Sequence, residues 1–242
     1  MTIDACLTSR LNRRIGQAMH DYSMLVDGDR VLVAVSGGVD SLVLAWLLRF
    51  WQHKAPIRYV LKAVVVENEL WRRHPESAGA IARICGQLER IGIEYQTVRG
   101  WSLAEEHRNC YHCARNRRSQ LFDLARQEGW SKIAFGHHKD DLIETLLLNM
   151  ICSGNISTMV PKQVLFGGKL ALIRPMAYLE KEEVLEIAAR IGIDAVENLC
   201  PLAGNTHRQR VRELLAQLYT MEPGARNSIF AAMANVREGY LL

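Results

Sequence analysis

A parallel, twisted α/β sheet with helices on both faces is the fold this chain predicts, and three observations carry it. Residues 30–35, RVLVAV, are almost wholly apolar and β-branched, as an interior strand buried on both faces must be. A glycine-rich turn and an apolar helix follow at once. Beyond them, short β-rich runs alternate with helical runs at the spacing of crossover units. The 242 residues, 49% of them apolar, suffice for one large domain with small extensions.

The elements follow in order. Residues 7–26 predict an amphipathic helix with Leu7, Leu11, Ile15 and Met19 along one face. Gly28 and Asp29 turn the chain into the first strand, and a helix is expected over 41–52. Strands are expected over 58–66 and 93–98, with a helix from Pro75 to Arg90 between them. Residues 100–112 break the rhythm. A helix over 114–128, a short strand over 132–135 and a helix over 141–150 come next. Residues 152–169, rich in glycine and serine, read as a loop or lid. A last strand over 169–173 ends at Pro175, and helices are expected over 180–190, 208–218 and 227–236. The division that results is an N-terminal helical segment 1–27, an α/β domain 28–192 and a C-terminal helical extension 193–242.

The turn after the first strand carries the strongest chemical signal. Ser36, Gly37 and Gly38 let backbone approach a bound anion, and Asp40 and Ser41 open a helix whose first N–H groups face it. The loop is too short for the eight-residue ATPase pattern and lacks the spacing of the dinucleotide fingerprint. It reads as a phosphate site of another kind. Asp40 suits either capping or a water-mediated Mg²⁺ contact.

Six cysteines are present. Cys110 and Cys113 form a C-x-x-C pair, and Cys200 lies 87 residues beyond Cys113 (200 − 113). Such a pair fits a redox dithiol, part of a zinc site with His112 or His207 as a further ligand, part of an iron–sulfur site, or packed thiols. Cys6, Cys85 and Cys152 are left outside the site.

The hexapeptide Ser36–Ser41 resembles the PP-loop signature of the adenylating N-type ATP pyrophosphatases. Further stretches resemble the tRNA 2-thiocytidine biosynthesis family, the cytosine-32 thiolases. These are Cys110-x-x-Cys113 with Arg115, Arg117 and Arg118 behind it, Gly136-His137-His138-Lys139-Asp140-Asp141, Ile173-Arg174-Pro175 and Asn198-Leu199-Cys200-Pro201. The resemblance spans about residues 12–240. Val39 stands where that family's loop usually has Lys, and residues 67–80 depart from its usual acidic segment.

The resemblance implies an adenine nucleotide alpha-hydrolase-like fold and an ATP-dependent tRNA sulfurtransferase that adenylates C2–O of a cytosine and replaces the oxygen with sulfur. It implies ATP, Mg²⁺ and a [4Fe–4S] cluster as cofactors, with Cys110, Cys113 and Cys200 as cluster ligands and one iron open to a sulfur species. Ser36, Gly37, Gly38, Asp40, Ser41, Gly136, His137, Asp140 and Arg174 would bind the nucleotide. Asp40 and Asp141 would join the three cysteines as catalytic groups. The implied partners are tRNA, a sulfur donor such as sulfide or a cysteine desulfurase persulfide, and a second copy in a homodimer.

Two other readings stand beside this one. One is a PP-loop sulfurtransferase acting on another nucleobase or a small molecule. The other is a zinc-stabilised nucleotide- or RNA-binding protein. The formal charge of +4 is mild, but basic residues gather at Arg115–Arg118 and Arg208–Arg212, where they could meet an RNA backbone. No apolar run is long enough for a membrane span. The first residues lack the apolar core of a signal peptide, so a cytoplasmic location is expected.

Overall fold

The computed structural model describes residues 7–67, 69–107, 109–200, 206–237 and 239–240. Cys6 and Pro201 lie outside the described residues.

Among the described residues, six strands form one sheet in the order β3-β2-β1-β4-β6-β5. They are β1 (Arg30–Val35), β2 (Val60–Glu67), β3 (Tyr95–Arg99), β4 (Lys132–Ala134), β5 (Lys162–Leu165) and β6 (Leu170–Ile173). β1 lies at the centre, parallel to β2 with Val33 opposite Ala63, and parallel to β4 with Val33 opposite Ala134. Its period-2 side chains feed two cores. Val31, Val33 and Val35 join the layer with Leu42, Leu44, Ile84 and Ile187, and Leu32 joins Leu121, Ala125 and Trp130 on the opposite face. Burial on both faces explains the near-continuous apolar run.

The helices of the first layer are α1 (Ser9–Asp21), α2 (Val39–Gln52), α4 (Ser77–Ile91) and α7 (Lys181–Ile191), with the short α3 (Glu69–Arg72) leading into α4. The other face is covered by α5 (Cys110–Glu128). Thr8 caps α1 by accepting from the Leu11 N–H, and Glu180 and Glu183 form a reciprocal capping box at the start of α7.

The sheet departs from the sequence expectation at one edge. Residues 152–169 are not wholly loop, because Lys162–Leu165 pairs antiparallel with β6, Val164 opposite Ala171. Phe166, Gly167 and Gly168 turn the hairpin with φ of 51°, 64° and 90°. Two glycines between apolar runs are a hairpin signal. Here they were outweighed by the polar stretch before them.

The chain divides into two compact units, Met1–His138 with Pro161–Ala203, and Lys139–Val160 with Gly204–Leu242. The second unit holds α6 (Lys139–Ser153), α8 (His207–Met221) and α9 (Ala225–Ala232) around Ile143, Val211 and Leu215. Its charged centre is Glu144, whose side chain is 4% exposed. Arg208 Nε donates to it at 3.0 Å and Arg212 Nε at 2.8 Å. These arginines stand one helical turn apart on α8, and that face grips a carboxylate of its own unit. Replacing Glu144 by Ala is expected to lower stability by about 2 kcal/mol, read as an earlier urea transition. The cost falls below that of a fully buried pair because both guanidiniums retain access to water.

Candidate functional site

The sheet order reverses between β1 and β4, since the chain runs outward from β1 through β2 to β3 on one side and through β4 to β6 on the other. In open α/β sheets such a switch point opens a crevice at the carboxyl ends of the strands. The chain places its phosphate-type loop there. Gly37 adopts φ +85°, and a Cβ on it would sit 2.4 Å from Ile84 Cδ1. Gly38 caps α2 with no side chain in the way. The loop is also hydrogen-bonded within itself. Ser41 Oγ accepts from the Ser36 N–H at 3.2 Å and donates to the Gly38 carbonyl at 2.8 Å, and the two serine hydroxyls lie 3.3 Å apart. Ser41→Ala removes these contacts. It is expected to weaken ATP binding roughly five- to tenfold, about 1 kcal/mol, in a nucleotide titration.

Gly136 ends β4 against this loop. A Cβ there would meet Asp40 O at 2.7 Å and Ser41 N at 3.0 Å, so only glycine lets the segment after β4 approach the start of α2. The Asp40 carboxylate takes a hydrogen bond from Lys181 Nζ at the start of α7, and His138 Nε2 stands 4.0 Å from it. Arg174 is buried, and its Nε donates to His137 Nδ1 at 3.3 Å. Burial pushes the Arg174 pKa down to about 10, with the positive charge of Arg118 adding to the effect. It therefore remains a cation at neutral pH, which suits a buried anion-binding role.

Asp140 and Asp141 begin α6 in the second unit. Asp140 pairs with Arg226 at 3.1 Å, and Asp141 lies 3.8 Å from Arg208. Both carboxylates thus carry ion pairs inside the helical unit, contacts that the sequence pattern gave no means to foresee.

The three candidate thiols converge on one wall system. A cavity of about 360 Å³ is lined by Ser36 and Gly38 of the loop together with Cys110, Cys113 and Cys200. Cys110 and Cys113 sit in the first turn of α5, which starts four residues earlier than expected. Asn109 caps that turn by accepting from the His112 N–H at 2.9 Å. The sequence reading placed this boundary by apolar periodicity. The Asn cap was the available signal.

Cys200 reaches the cavity along an extended segment that is fastened at successive points. Gln87 exchanges two hydrogen bonds with the Asp194 backbone, at 2.5 and 2.9 Å. The Val196 N–H donates to the Gly37 carbonyl at 2.9 Å. Asn198 Oδ1 accepts from Trp71 Nε1 at 3.0 Å and from the Cys200 N–H at 3.1 Å. The phosphate loop and the third thiol are therefore held by a common backbone contact. Asn198 belongs to the motif stretch around Cys200, while Trp71 and Gln87 are positioning residues that no sequence motif marked.

The donor set suits an iron–sulfur cluster. All three groups are thiols outside any disulfide, and thiolates are the usual ligands of such clusters. Three thiolates on one cavity could each bind a different iron of a four-iron cube, leaving the fourth iron open. No described helix is long and apolar enough to cross a membrane.

Comparison with known proteins bears on the same residues. Residues 7–218 match the family model described as PP-loop domain. The tRNA-cytidine(32) 2-sulfurtransferase of Pelobacter propionicus is 35% identical over 243 residues, spanning 98% of this chain and 89% of the relative. The protein of that name from Sorangium cellulosum is 36% identical over 241 residues, spanning 97% and 84%. Among solved structures, the U34-tRNA thiolase NcsA from Methanococcus maripaludis with its [4Fe-4S] cluster superposes with a TM-score of 0.76 at 24% identity, covering 92% of this chain and 77% of that one. That last likeness shows the fold, an open and mostly parallel sheet with helices on both faces.

Proposed function

The chain belongs to the PP-loop family and, within it, groups with the tRNA-cytidine(32) 2-sulfurtransferases, and from this we propose that it is an ATP-dependent tRNA sulfurtransferase acting on a cytosine. One observation carries the assignment: the cavity that joins the phosphate loop at Ser36 and Gly38 to the thiols of Cys110, Cys113 and Cys200. Activation by ATP and delivery of sulfur must occur at one C2–O group, the oxygen taking AMP and the carbon taking sulfur, and this cavity presents both sets of groups to one space.

The reaction balances in two steps. C2–O of the cytosine attacks the α-phosphorus of ATP and pyrophosphate leaves. A sulfur nucleophile then adds at C2, and the oxygen departs with AMP. Backbone N–H groups at Gly37, Gly38 and the start of α2, with Ser36 and Ser41, stabilise the charge that grows on pyrophosphate. Arg174 supplies a buried cation to the nucleotide, and Asp40 supplies the carboxylate for Mg²⁺ in exchange for its contact with Lys181. Gly136 lets the segment after β4 lie close against the start of α2, so that both can face the nucleotide. Cys110, Cys113 and Cys200 would hold a [4Fe–4S] cluster, which supplies an iron site able to bind sulfide as a Lewis acid. The α/β domain 28–192 does the nucleotide chemistry, and the extension 193–242 contributes Cys200.

By family resemblance, the sulfur comes from sulfide, supplied as such or released from a desulfurase persulfide by a thiol that takes up the persulfide's carrier sulfur as a disulfide; the working unit is a homodimer, and the location is the cytoplasm. The test is nucleoside analysis of tRNA from cells lacking other cytosine thiolation, after incubation with ATP, sulfide and anaerobically prepared protein. Appearance of 2-thiocytidine with matching AMP release supports the reading. ATP cleavage to AMP with an untouched tRNA and a thiolated small molecule would move the chain to the second sulfurtransferase reading.

A further inference from the structure

We propose that Trp101 is the stacking platform for the target base, an unpaired RNA pyrimidine drawn into the cavity. The proposal rests on the sulfurtransferase reading above and adds which residue holds the acceptor.

Trp101 follows β3, lines the cavity and yet keeps 46% of its surface exposed. Its backbone is clamped on both sides. The Trp101 N–H donates to Gln120 Oε1 at 3.1 Å, and its carbonyl accepts from Asn116 Nδ2 at 2.8 Å. Gln120 is itself buried and donates to the Arg99 carbonyl at 2.6 Å. These contacts fix the backbone from which the indole projects, and the fold leaves the indole itself half open on the cavity. An aromatic face left open beside the thiols suits a flat ligand.

The other indole of the cavity cannot serve in the same way. Trp71 is 9% exposed, and its N–H is committed to Asn198. The two clamps on Trp101 both come from α5, the helix that presents Cys110 and Cys113. Trp101 is therefore fastened to the thiol wall rather than to the phosphate loop. The carbon that takes up sulfur must meet that wall while its oxygen faces the nucleotide. A base laid on Trp101 stands on the correct side for this. Stacking on an aromatic side chain is also how proteins hold single bases taken out of RNA structure.

The experiment compares anaerobically prepared wild type, Trp101→Ala and Trp101→Phe. Each is titrated with ATP alone, with unmodified tRNA carrying C32, and with the same tRNA made abasic at that position, while tryptophan fluorescence and thiolation kinetics are read. Trp101→Ala is expected to raise the KM for tRNA roughly tenfold or more, and Trp101→Phe to keep most of the affinity. ATP affinity, iron content and the far-ultraviolet circular dichroism of both variants should match wild type. Wild-type fluorescence should be quenched by tRNA with the base and much less by the abasic tRNA, and Trp101→Phe should lose that quench. Wild-type kinetics in Trp101→Ala, beside a wild type that thiolates tRNA, overturns the platform alone. A quench produced by ATP, with weakened ATP binding in Trp101→Ala, also overturns it and assigns the indole to adenine. A wild type that thiolates no tRNA overturns the parent reading and the platform with it.

Discussion

Cys200→Ala is expected to reduce tRNA thiolation by at least about a hundredfold while ATP binding stays close to wild type. The loss is that large because Cys200 is one of three thiols on the cavity, and its removal leaves a cluster only two cysteine ligands. ATP binding should survive because the link between this segment and the phosphate loop is made by the Val196 backbone, not by the Cys200 side chain. The Cys200 N–H still donates to Asn198 in the variant, so the segment keeps its course. Asn198→Ala provides the graded companion. It leaves the thiol in place but removes its tether and the partner of Trp71, so iron content should fall partially. Thiolation kinetics beside a nucleotide titration check both variants.

Gly136→Ala is expected to abolish nucleotide binding and to destabilise the α/β unit by about 2–3 kcal/mol. The added methyl group would meet Asp40 O at 2.7 Å, Asp40 C at 2.8 Å and Ser41 N at 3.0 Å. All three are backbone atoms and cannot rotate aside. Relief requires β4 to part from the start of α2, which disturbs the helix N-terminus that faces the phosphates. Gly86→Ala is the contrasting substitution. Gly86 lies exposed on α4 with nothing within 4 Å of a Cβ, so alanine should stabilise the protein by roughly 0.5–1 kcal/mol through helix propensity. Thermal melts of the two variants, with and without ATP, separate steric from generic effects.

The parts legible in the sequence were those encoded by local pattern. The run Arg30–Val35 could only be a doubly buried strand, and its continuation Ser36–Ser41 announced an anion site before any contact was known. Gly136 was legible as part of a motif, but its reason was not, because the atoms it must avoid belong to Asp40 and Ser41, far away in the chain. The same limit hid the fastening of Cys200. Trp71 and Gln87 look unremarkable in sequence, Asn198 is legible only as a neighbour of Cys200, and their meaning lies in contacts across more than a hundred residues. Arg208 and Arg212 read as candidates for RNA contact because basic side chains on a helix usually face water. Whether a carboxylate such as Glu144 is buried beneath them depends on packing that periodicity does not report. The start of α5 was missed for a more local reason. Its first turn is polar, so the periodic signal begins late, while the Asn109 cap marks the true start.

The most direct test of the central claim, that three thiols hold one cluster beside the phosphate loop, is metal and sulfide analysis of protein purified without oxygen. The account predicts about four irons and four labile sulfides per chain, with little zinc, and loss of both from Cys110→Ala, Cys113→Ala and Cys200→Ala alike. One zinc per chain with no labile sulfide, or full iron content in any of the three variants, would contradict it.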